Sequence, residues 1–530
     1  MTTPAATALA SRSRGAALAT LLALLFLTFL DTTVVSVALG SIQYRLGAGV
    51  IPLQWVVDAY SLVFASLMLV AGSLGDRFGR KKIMLAGGVV FCLGSVLCAL
   101  APNVATVIAG RAVMGAGAAA SEPGTLSMLR QLYPEPRERA RALGLWSAVS
   151  GLALAVGPVV GGVLVQFGDW RTIFWFNLVL GAVVLAAAAR WVPESLDPDA
   201  AALDRGGFVT GTLALAAVIV AGISGEQYGY GTWWIVALFV VGALASAVFV
   251  PVELRARSPM LDVRLLRDRV VGGALFVAFA AYLAVFSIFF LTALYLDLVV
   301  GYSGARFAAV FAPMAGLVVL GSLAAGRWVA AAGTRWPMAA GCVVAAAGLV
   351  IARGVLTARP SFAGVLVALA VAGLGFGLAV VPLTAAVLGG VSARRSGMAA
   401  AATNTARQLG TVVGVAALGA IVNSYVANDF GADLARSGAS RALSRTILGL
   451  IETGGSDAKG LDIAHPPAIF ASVIDQATDA LRAGLHTALL VSAVLLLLGA
   501  AVALLGRQPI STDGTSAGSA PPSTASSGSA

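Results

Sequence analysis

The chain has 530 residues, of which 59% are hydrophobic and only 11% are charged, whereas soluble domains carry about 25% charged residues. This composition excludes an ordinary soluble protein. The formal net charge of +10 does not indicate a nucleic-acid ligand, because the basic residues gather in alternate short loops between apolar segments and so follow the positive-inside rule. The basic loops contain Arg77, Arg80, Lys81 and Lys82; Arg137, Arg139 and Arg141; Arg255, Arg257, Arg264, Arg267 and Arg269; and Arg394 and Arg395.

Fourteen apolar segments are close to or above the ~20 residues that cross a bilayer as a helix. They cover about 16–38, 53–75, 82–101, 104–128, 141–165, 172–191, 207–225, 232–251, 270–298, 305–326, 336–357, 361–388, 402–425 and 486–506. The pattern predicts an all-α polytopic membrane protein. Because the count is even and Arg12 and Arg14 precede the first span, we expect both termini in the cytoplasm.

An internal repeat suggests how these spans are grouped. The segment GSLGDRFGRKK (72–82) follows the second span, and GSLAAGRWVAAAGTR (321–335) follows the tenth. Such repeats are typical of secondary transporters, whose substrate site lies between the two halves. We therefore expect a cytoplasmic N-terminus (1–15), an N-terminal six-helix half (16–191), two inserted transmembrane helices (192–252), a C-terminal six-helix half (253–506) and a disordered cytoplasmic tail (507–530).

One long extracellular loop is expected at residues 426–485. Apolar residues at helical spacing favour two amphipathic helices over the outer vestibule. A mobile loop is the alternative.

The first of the two repeated segments, GSLGDRFGRKK, resembles the signature loop between helices two and three of the major facilitator superfamily. The resemblance rests on Gly72, Gly75, Asp76, Arg77, Gly79 and Arg80. The glycines permit close helix approach and a tight turn, and Asp76 can face the N-terminus of a neighbouring helix. The resemblance implies a conformational latch that holds the two halves in the outward-open state.

The fifth span, GLWSAVSGLALAVGPVVGG (144–162), resembles the antiporter motif of the same family. The matching residues are Gly144, Gly157, Pro158, Gly161 and Gly162, while Ala153 replaces a further glycine. Glycines on one face allow helices to pack at backbone contact, and Pro158 is expected to kink the span. The motif favours export over uptake.

Four other segments are similar to the fourteen-helix drug:proton antiporter branch, of the quaternary-ammonium and multidrug efflux type. They are FLDTTVVSVAL (29–39), LQWVVDAYSL (53–62), RAVMGAG (111–117) and SGMAAAATNTARQLG (396–410). Ser36, Gly40 and Met114 depart from the usual residues. The resemblance implies the major-facilitator fold, with two six-helix halves plus two inserted helices, and antiport; it does not specify a substrate.

Three charged residues share the outer half of the N-terminal spans: Asp31, Asp58 and Arg111. Burial of each in a membrane costs several kcal/mol unless it is paired or hydrated, so we expect a common polar cavity. Asp31 and Asp58 are predicted to take part in proton coupling or substrate binding, although Asp58 could equally be a carboxylate at the mouth of the pore. Arg111 is either a proton-coupling partner of these carboxylates or their structural counter-ion.

Glu122 follows Arg111 by eleven residues, which leaves an offset of only ~20° around a helix. Both side chains therefore project from one stripe, which we expect to line a cavity, with Glu122 nearer the cytoplasm. Three interpretations remain open: a latch paired with Arg77 or Arg80, a second protonation or cation site, and a snorkelling residue at a helix end. We favour the latch.

These observations predict a proton-coupled exporter of hydrophobic, cationic small molecules, a multidrug antiporter of the bacterial plasma membrane that works by alternating access as a monomer. A dedicated exporter of one antibiotic or metabolite is the first alternative, and a non-transporting receptor or platform is the second. We expect no enzymatic activity and no cofactor. The absence of a Walker-type Gly-Lys-Ser/Thr loop argues against direct ATP drive, and we expect the proton gradient to supply the energy. The chain has only two histidines, and its three cysteines, Cys92, Cys98 and Cys342, all lie within predicted spans. We therefore expect no metal site.

Overall fold

The computed structural model describes most of the chain. The described residues are 4–48, 50–195, 204–256, 259, 261–286, 291–292, 295–296, 299–300, 302, 304–392, 395–425 and 468–506. Helices dominate this part of the protein, and it contains no β-strand. The fold class predicted from the sequence is therefore confirmed as all-α.

Fifteen α-helices are numbered here in chain order. They are α1 (Pro4–Val34), α2 (Leu39–Leu46), α3 (Val50–Phe78), α4 (Arg80–Ala99), α5 (Val104–Leu132), α6 (Pro136–Phe167), α7 (Arg171–Trp191), α8 (Arg205–Tyr228), α9 (Trp233–Arg255), α10 (Arg269–Phe286), α11 (Gly304–Ala332), α12 (Arg335–Val355), α13 (Phe362–Gly389), α14 (Ser396–Tyr425) and α15 (Ala468–Leu505). Two short 3₁₀ helices, Val35–Ala38 and Val263–Arg267, accompany them.

Each of the fourteen predicted spans overlaps a described helix, although the span 270–298 continues beyond the end of α10 at Phe286. Within the described ranges, eleven helices are long and apolar enough to cross a membrane, or twelve if the two parts of α3 form one span. Those parts, Pro52–Met68 and Val70–Phe78, meet at an angle of 52°. The helices are therefore compatible with the predicted fourteen spans.

Part of the predicted extracellular loop proves to be helical and continuous with the last span. Residues 468–485 belong to α15, which runs from Ala468 to Leu505, so these residues do not form a separate helix over the vestibule. Pro466 and Pro467 directly precede the helix and no proline occurs within it, which explains both its start and its length. The rest of the predicted loop, 426–467, and the tail 507–530 lie outside the described residues.

Two groups of helices carry the residues discussed below. We call α1 to α7 (residues 4–191) the N-terminal bundle and α10 to α15 (residues 269–505) the C-terminal bundle. The basic end is the end of these helices at which α3 meets α4, α5 meets α6 and α13 meets α14. Leu215 and Ile219 of α8 pack with Ala65 of α3 and against Leu409 of α14, so α8 touches both bundles.

The apolar core differs between the two ends of the molecule. One cluster holds only residues of the N-terminal bundle, including Val35, Val56 and Trp170. Another cluster mixes both bundles, since Leu126, Leu129 and Trp146 pack among residues of α10 to α15. The bundles therefore share a core through α5 and α6, on the stretches of these helices nearest the basic end.

Candidate functional site

A fully buried ionic network lies inside the N-terminal bundle. Nη1 of Arg111 is 2.5 Å from Oδ2 of Asp31, and Nδ2 of Asn177 donates to Oδ1 of Asp31 at 2.6 Å. Nε of Arg111 donates to the carbonyl oxygen of Val56 at 2.9 Å, and its guanidinium lies 4.4 Å from the centre of the Tyr60 ring. Both carboxylate oxygens are thus satisfied, so the charge of Asp31 is compensated within the bundle.

The structure brings Asp31 and Arg111 together as their predicted depths require, but it does not add Asp58 to the pair. Asp58 is half-buried on α3 and is absent from the hydrogen bonds and ion pairs of Asp31 and Arg111.

The stripe of α5 between Arg111 and Glu122 is in close contact with α3, because a Cβ atom on Gly115 would lie 3.2 Å from Cα of Tyr60. The expected cavity-lining stripe between Arg111 and Glu122 is therefore packed against α3, because glycine permits backbone contact there.

A second buried charge, Arg407, lies where the two bundles meet. Its side chain is 3% exposed, and it donates from Nη1 to Oδ1 of Asn404 at 3.0 Å and from Nη2 to Oγ1 of Thr384 at 2.6 Å. The guanidinium lies 5.3 Å from the ring centre of Trp146 in the N-terminal bundle and 5.4 Å from that of Tyr282 in the C-terminal bundle. Cation–π contacts of this kind stabilise a desolvated arginine.

Glu122 lies close to this second centre. It is 2% exposed, and its Oε2 has no hydrogen-bond partner among the described residues. Arg407 is the charged group whose field acts on its carboxylate. Hydrogen bonds also connect the backbone of Glu122 to Trp146, which lies beside Arg407. Nε1 of Trp146 donates to Oγ1 of Thr125, and this hydroxyl donates to the carbonyl oxygen of Glu122.

The predicted pairing of Glu122 with Arg77 or Arg80 is not formed in this conformation. Arg80 borders the same small cavity as Pro123 of α5, so the predicted depth is right. Its guanidinium, however, turns to Asp76 at 2.6 Å and to Oγ of Ser195 at 3.2 Å. Arg77 is half-buried and lies over the ring of Phe78, and the described residues place no cation within ion-pair distance of Glu122.

Asp76 faces the N-terminus of α14, as its position in the signature loop predicts. Its two oxygens accept from the backbone N–H groups of Gly397 at 3.2 Å and Met398 at 3.1 Å. These are orphan donors of the first helical turn, where negative charge is favourable. Asp76 thus links the N-terminal bundle to the C-terminal bundle while it also binds Arg80.

The glycines of the same loop serve different purposes. Gly79 has φ of 104°, a conformation that glycine adopts without strain, and it precedes α4. A Cβ atom on Gly72 would lie 2.6 Å from the carbonyl oxygen of Gly397, so Gly72 permits contact between α3 and α14. At Gly75 the nearest atom would be 3.8 Å away, which leaves room for a methyl group.

A second contact at the basic end is made by a residue of the opposite charge to Asp76. Arg130 of α5 donates from Nη2 to the carbonyl oxygen of Val391 at 2.6 Å, and from Nη1 to that of Leu388. Leu388 belongs to the last turn of α13 and Val391 lies two residues beyond its end, where a cation is favourable. An acid and a base of the N-terminal bundle therefore bind the start of α14 and the end of α13.

The glycines of the antiporter motif contact two different partners. Gly144 packs on α11, with Cα of Gly326 3.3 Å from where its Cβ would lie. Gly157 faces Thr33 and Gly161 faces the carbonyl oxygen of Val34, both on α1, while Gly162 faces open space. The side chain of Pro158 lies outside the described part of the structure, and so does the predicted kink.

The described residues contain no group of three or more His, Cys, Asp and Glu that could hold a metal ion. Cys92, Cys98 and Cys342 are buried as free thiols.

Similarity to known proteins identifies the family to which these bundles belong. Residues 21–415 match the Major Facilitator Superfamily. The chain belongs to this superfamily. It is therefore a membrane-embedded transporter of small molecules.

Two curated relatives are similar over most of their length. The multidrug resistance protein Stp of Mycobacterium tuberculosis is 34% identical over 402 residues, which cover 76% of this chain and 74% of the relative. The multidrug efflux pump LfrA of Mycolicibacterium smegmatis is 30% identical over 492 residues, which cover 92% and 95%.

Among solved structures, that of the human organic anion transporter MFSD10 matches with a TM-score of 0.61 at 13% identity, covering 92% of this chain and 99% of that one. At this level of identity the match concerns the superfamily fold alone.

Several residues of the two centres were missed from the sequence. Arg407 is a cation inside an apolar span, so the rule that singled out Arg111 applies to it equally. Asn177, Trp146 and Tyr282 gave no such signal, because uncharged polar and aromatic residues are common in membrane helices. Their partners on distant helices become apparent only in the folded transporter.

Proposed function

We propose that this transporter exports hydrophobic, cationic small molecules from the bacterial cytoplasm in exchange for protons, by alternating access. Stp and LfrA carry multidrug resistance and efflux in their names, and this supports the proposal. The positive-inside rule assigns the basic end to the cytoplasm, with both termini on that side. In this conformation the contacts of Asp76 and Arg130 would then close the protein towards the cytoplasm.

A single observation carries the coupling: Glu122 is buried with an unpartnered oxygen at the contact between the bundles, in the field of Arg407. Protonation removes the negative charge and with it the attraction between α5 and α14. A cationic substrate neutralises the same carboxylate, so proton and substrate compete for one group. Such competition is the basis of antiport by a shared site.

The other two acids take different roles in this proposal. Asp31 is already neutralised by Arg111 and hydrogen-bonded by Asn177, so it orients α1, α5 and α7 rather than exchanging protons freely. Asp58 is half-buried on the stretch of α3 remote from the basic end. We assign to it the reception of protons from outside.

A dedicated exporter of one antibiotic or metabolite is the second candidate. The directional hydrogen bonds of Arg407 favour it, because Oδ1 of Asn404 and Oγ1 of Thr384 accept from the guanidinium and fix it in one orientation. Fixed polar groups discriminate between substrates more strongly than an apolar wall does. Both candidates use the same proton coupling and differ only in the breadth of substrates.

Transport into everted membrane vesicles tests the proposal. Respiration acidifies the vesicle lumen, and a panel of cationic dyes and antibiotics should accumulate inside; nigericin, which collapses the pH gradient, should abolish this. Glu122→Gln should lose gradient-driven accumulation, whereas the same change at the exposed Glu135 should not. Accumulation that survives nigericin contradicts antiport, and a panel without any transported compound favours a receptor or platform. One transported compound alone favours the dedicated exporter.

A further inference from the structure

The centre around Arg407 contains buried hydrogen-bond donors that bind no residue in the described ranges. Nε of Arg407 and Nδ2 of Asn404 are buried and have no partner among the described residues. The side chains are 3% and 2% exposed. Both belong to α14, one turn apart, and Nη1 of Arg407 already binds Oδ1 of Asn404. Buried donors of this kind are rarely left unpaired in a protein unless a ligand or water completes them.

The charge of Arg407 is also unmatched by direct contact. Arg407 forms no ion pair with a carboxylate in the part of the chain that the structure describes, unlike Arg111 and Arg80. An arginine presents a planar set of donors whose geometry matches a carboxylate or a phosphate. The unpartnered donors and the charge of Arg407 therefore suit an anionic group.

A matching acceptor faces this centre from the N-terminal bundle. Oε2 of Glu122 is buried and unpartnered, and the field of Arg407 reaches its carboxylate. Glu122 lies ten residues before the end of α5, and Arg407 lies eleven residues after the start of α14, so both are about 15 Å from the basic ends of their helices. One end of the centre suits an anion and the other a cation.

Aromatic rings from both bundles lie beside Arg407. The ring of Trp146 packs edge-on against Phe29 at 6.4 Å, and that of Tyr282 packs against Phe376 at 5.3 Å. Trp146 belongs to the N-terminal bundle and Tyr282 to the C-terminal bundle, and both lie beside Arg407. Rings held in this way suit a flat aromatic molecule.

We propose that this centre binds a zwitterionic aromatic compound, whose carboxylate accepts from Nε of Arg407 and Nδ2 of Asn404 while its cationic nitrogen faces Glu122. The proposal rests on the proposed function and specifies its substrate class. A simple cation would leave the Arg407 charge without a partner, and a simple anion would meet the repulsion of Glu122. A zwitterion satisfies both poles and brings no net charge into the membrane.

A matched pair of dyes tests the anionic pole. Rhodamine 110 carries a free carboxylate, and rhodamine 123 is its methyl ester with the same cationic ring system. Binding to the purified protein in detergent is followed by fluorescence anisotropy, without any gradient. We expect rhodamine 110 to bind about 10- to 100-fold more tightly than rhodamine 123, the range given by charge-assisted hydrogen bonds.

Substitutions then assign that preference to residues. Arg407→Gln should abolish the preference, Arg407→Lys should keep part of it, and Asn404→Ala should reduce it. Glu122→Gln should weaken the binding of both dyes and leave the ratio of their affinities unchanged, because both carry the same cationic ring system. Arg130→Gln, which removes another arginine between the bundles but outside this centre, should also leave the ratio. Unchanged elution on size exclusion confirms that each variant is folded.

The outcomes separate this proposal from the proposed function. The proposal is overturned if rhodamine 110 does not bind, or binds no more tightly than rhodamine 123. It is also overturned if the preference for rhodamine 110 survives Arg407→Gln. These results count against it even where gradient-driven export is intact. Conversely, a preference that depends on Arg407 in a protein that fails to transport either dye on a pH gradient would overturn antiport and leave the zwitterion site standing.

Discussion

Nη1 of Arg111 lies 2.5 Å from Oδ2 of Asp31, and both side chains are almost completely buried. The pair connects α1 with α5, and Asn177 adds α7 through the second carboxylate oxygen. Removal of one partner from such a pair leaves the other charge buried and uncompensated. Asp31 therefore stabilises the packing of α1, α5 and α7 in the N-terminal bundle.

Asp31→Asn should destabilise the protein by about 3–5 kcal/mol, the usual effect of breaking a buried ion pair. The amide retains a hydrogen-bonding group for Asn177 but leaves the Arg111 charge unmatched. Thermal unfolding of the purified protein in detergent measures the loss, and transport in vesicles should fall with it. An unchanged unfolding temperature would show that the pair does not stabilise the fold.

The double variant Asp31→Asn with Arg111→Gln separates the two roles of Arg111. It removes both charges, so the unfolding temperature should recover most of the loss caused by the single change. If Arg111 is a structural counter-ion, transport recovers together with stability. If Arg111 takes part in proton coupling, the stable double variant remains inactive.

Gly161 and Gly162 are neighbours in the antiporter motif and should respond differently to the same change. A Cβ atom on Gly161 would lie 2.7 Å from the carbonyl oxygen of Val34, whereas nothing lies within 4 Å at Gly162. Gly161→Ala should destabilise the α1–α6 contact by about 1–3 kcal/mol and reduce transport, while Gly162→Ala should be tolerated. Equal effects on unfolding temperature would contradict this packing.

The contact between Gly144 and Gly326 joins the bundles near the basic end. A Cβ atom on Gly326 would lie 2.8 Å from the carbonyl oxygen of Ala140, so a larger residue there separates α6 from α11. Gly326→Leu should hold the basic end open and reduce transport at least tenfold, about the effect of a 1.4 kcal/mol shift. Gly316→Leu, where nothing lies within 4 Å on the same helix, is the control and should remain active.

Asp76→Asn should weaken the closed basic end, because it removes the charge that faces the start of α14 and the partner of Arg80. Ala401 is fully buried at this contact, so a cysteine there, with the three native cysteines replaced, reports its opening. Hydrogen bonds to a charged group contribute about 1.5–3 kcal/mol, and labelling by a water-soluble maleimide should accelerate at least tenfold. Asp76→Glu, which keeps the charge, should show a smaller acceleration.

These residues show which parts of the fold and of the site can be predicted from the sequence. Hydrophobic period and length predicted the helices, and depth along a span placed Asp31 and Arg111 together, because both follow from one helix at a time. The proximity of Glu122 to the charge of Arg407 could not be predicted in this way. Arg407 belongs to the other bundle, and which face of α5 meets which face of α14 depends on packing that no single segment contains. The length of α15 was missed because charged residues before a span do not end a helix.

Exchange of the charges of Glu122 and Arg80 tests whether these two residues form a latch. A latch between Glu122 and Arg80 predicts that Glu122→Arg with Arg80→Glu restores the transport lost in either single variant. In the structure Arg80 is already bound to Asp76 and Ser195, and Glu122 lies instead in the field of Arg407. The exchange would place a second arginine beside Arg407 and a glutamate beside Asp76, so both new positions are repulsive. We therefore expect no rescue in the vesicle assay, with the double variant at least as impaired as either single change. Recovery of transport would contradict this geometry and establish the latch.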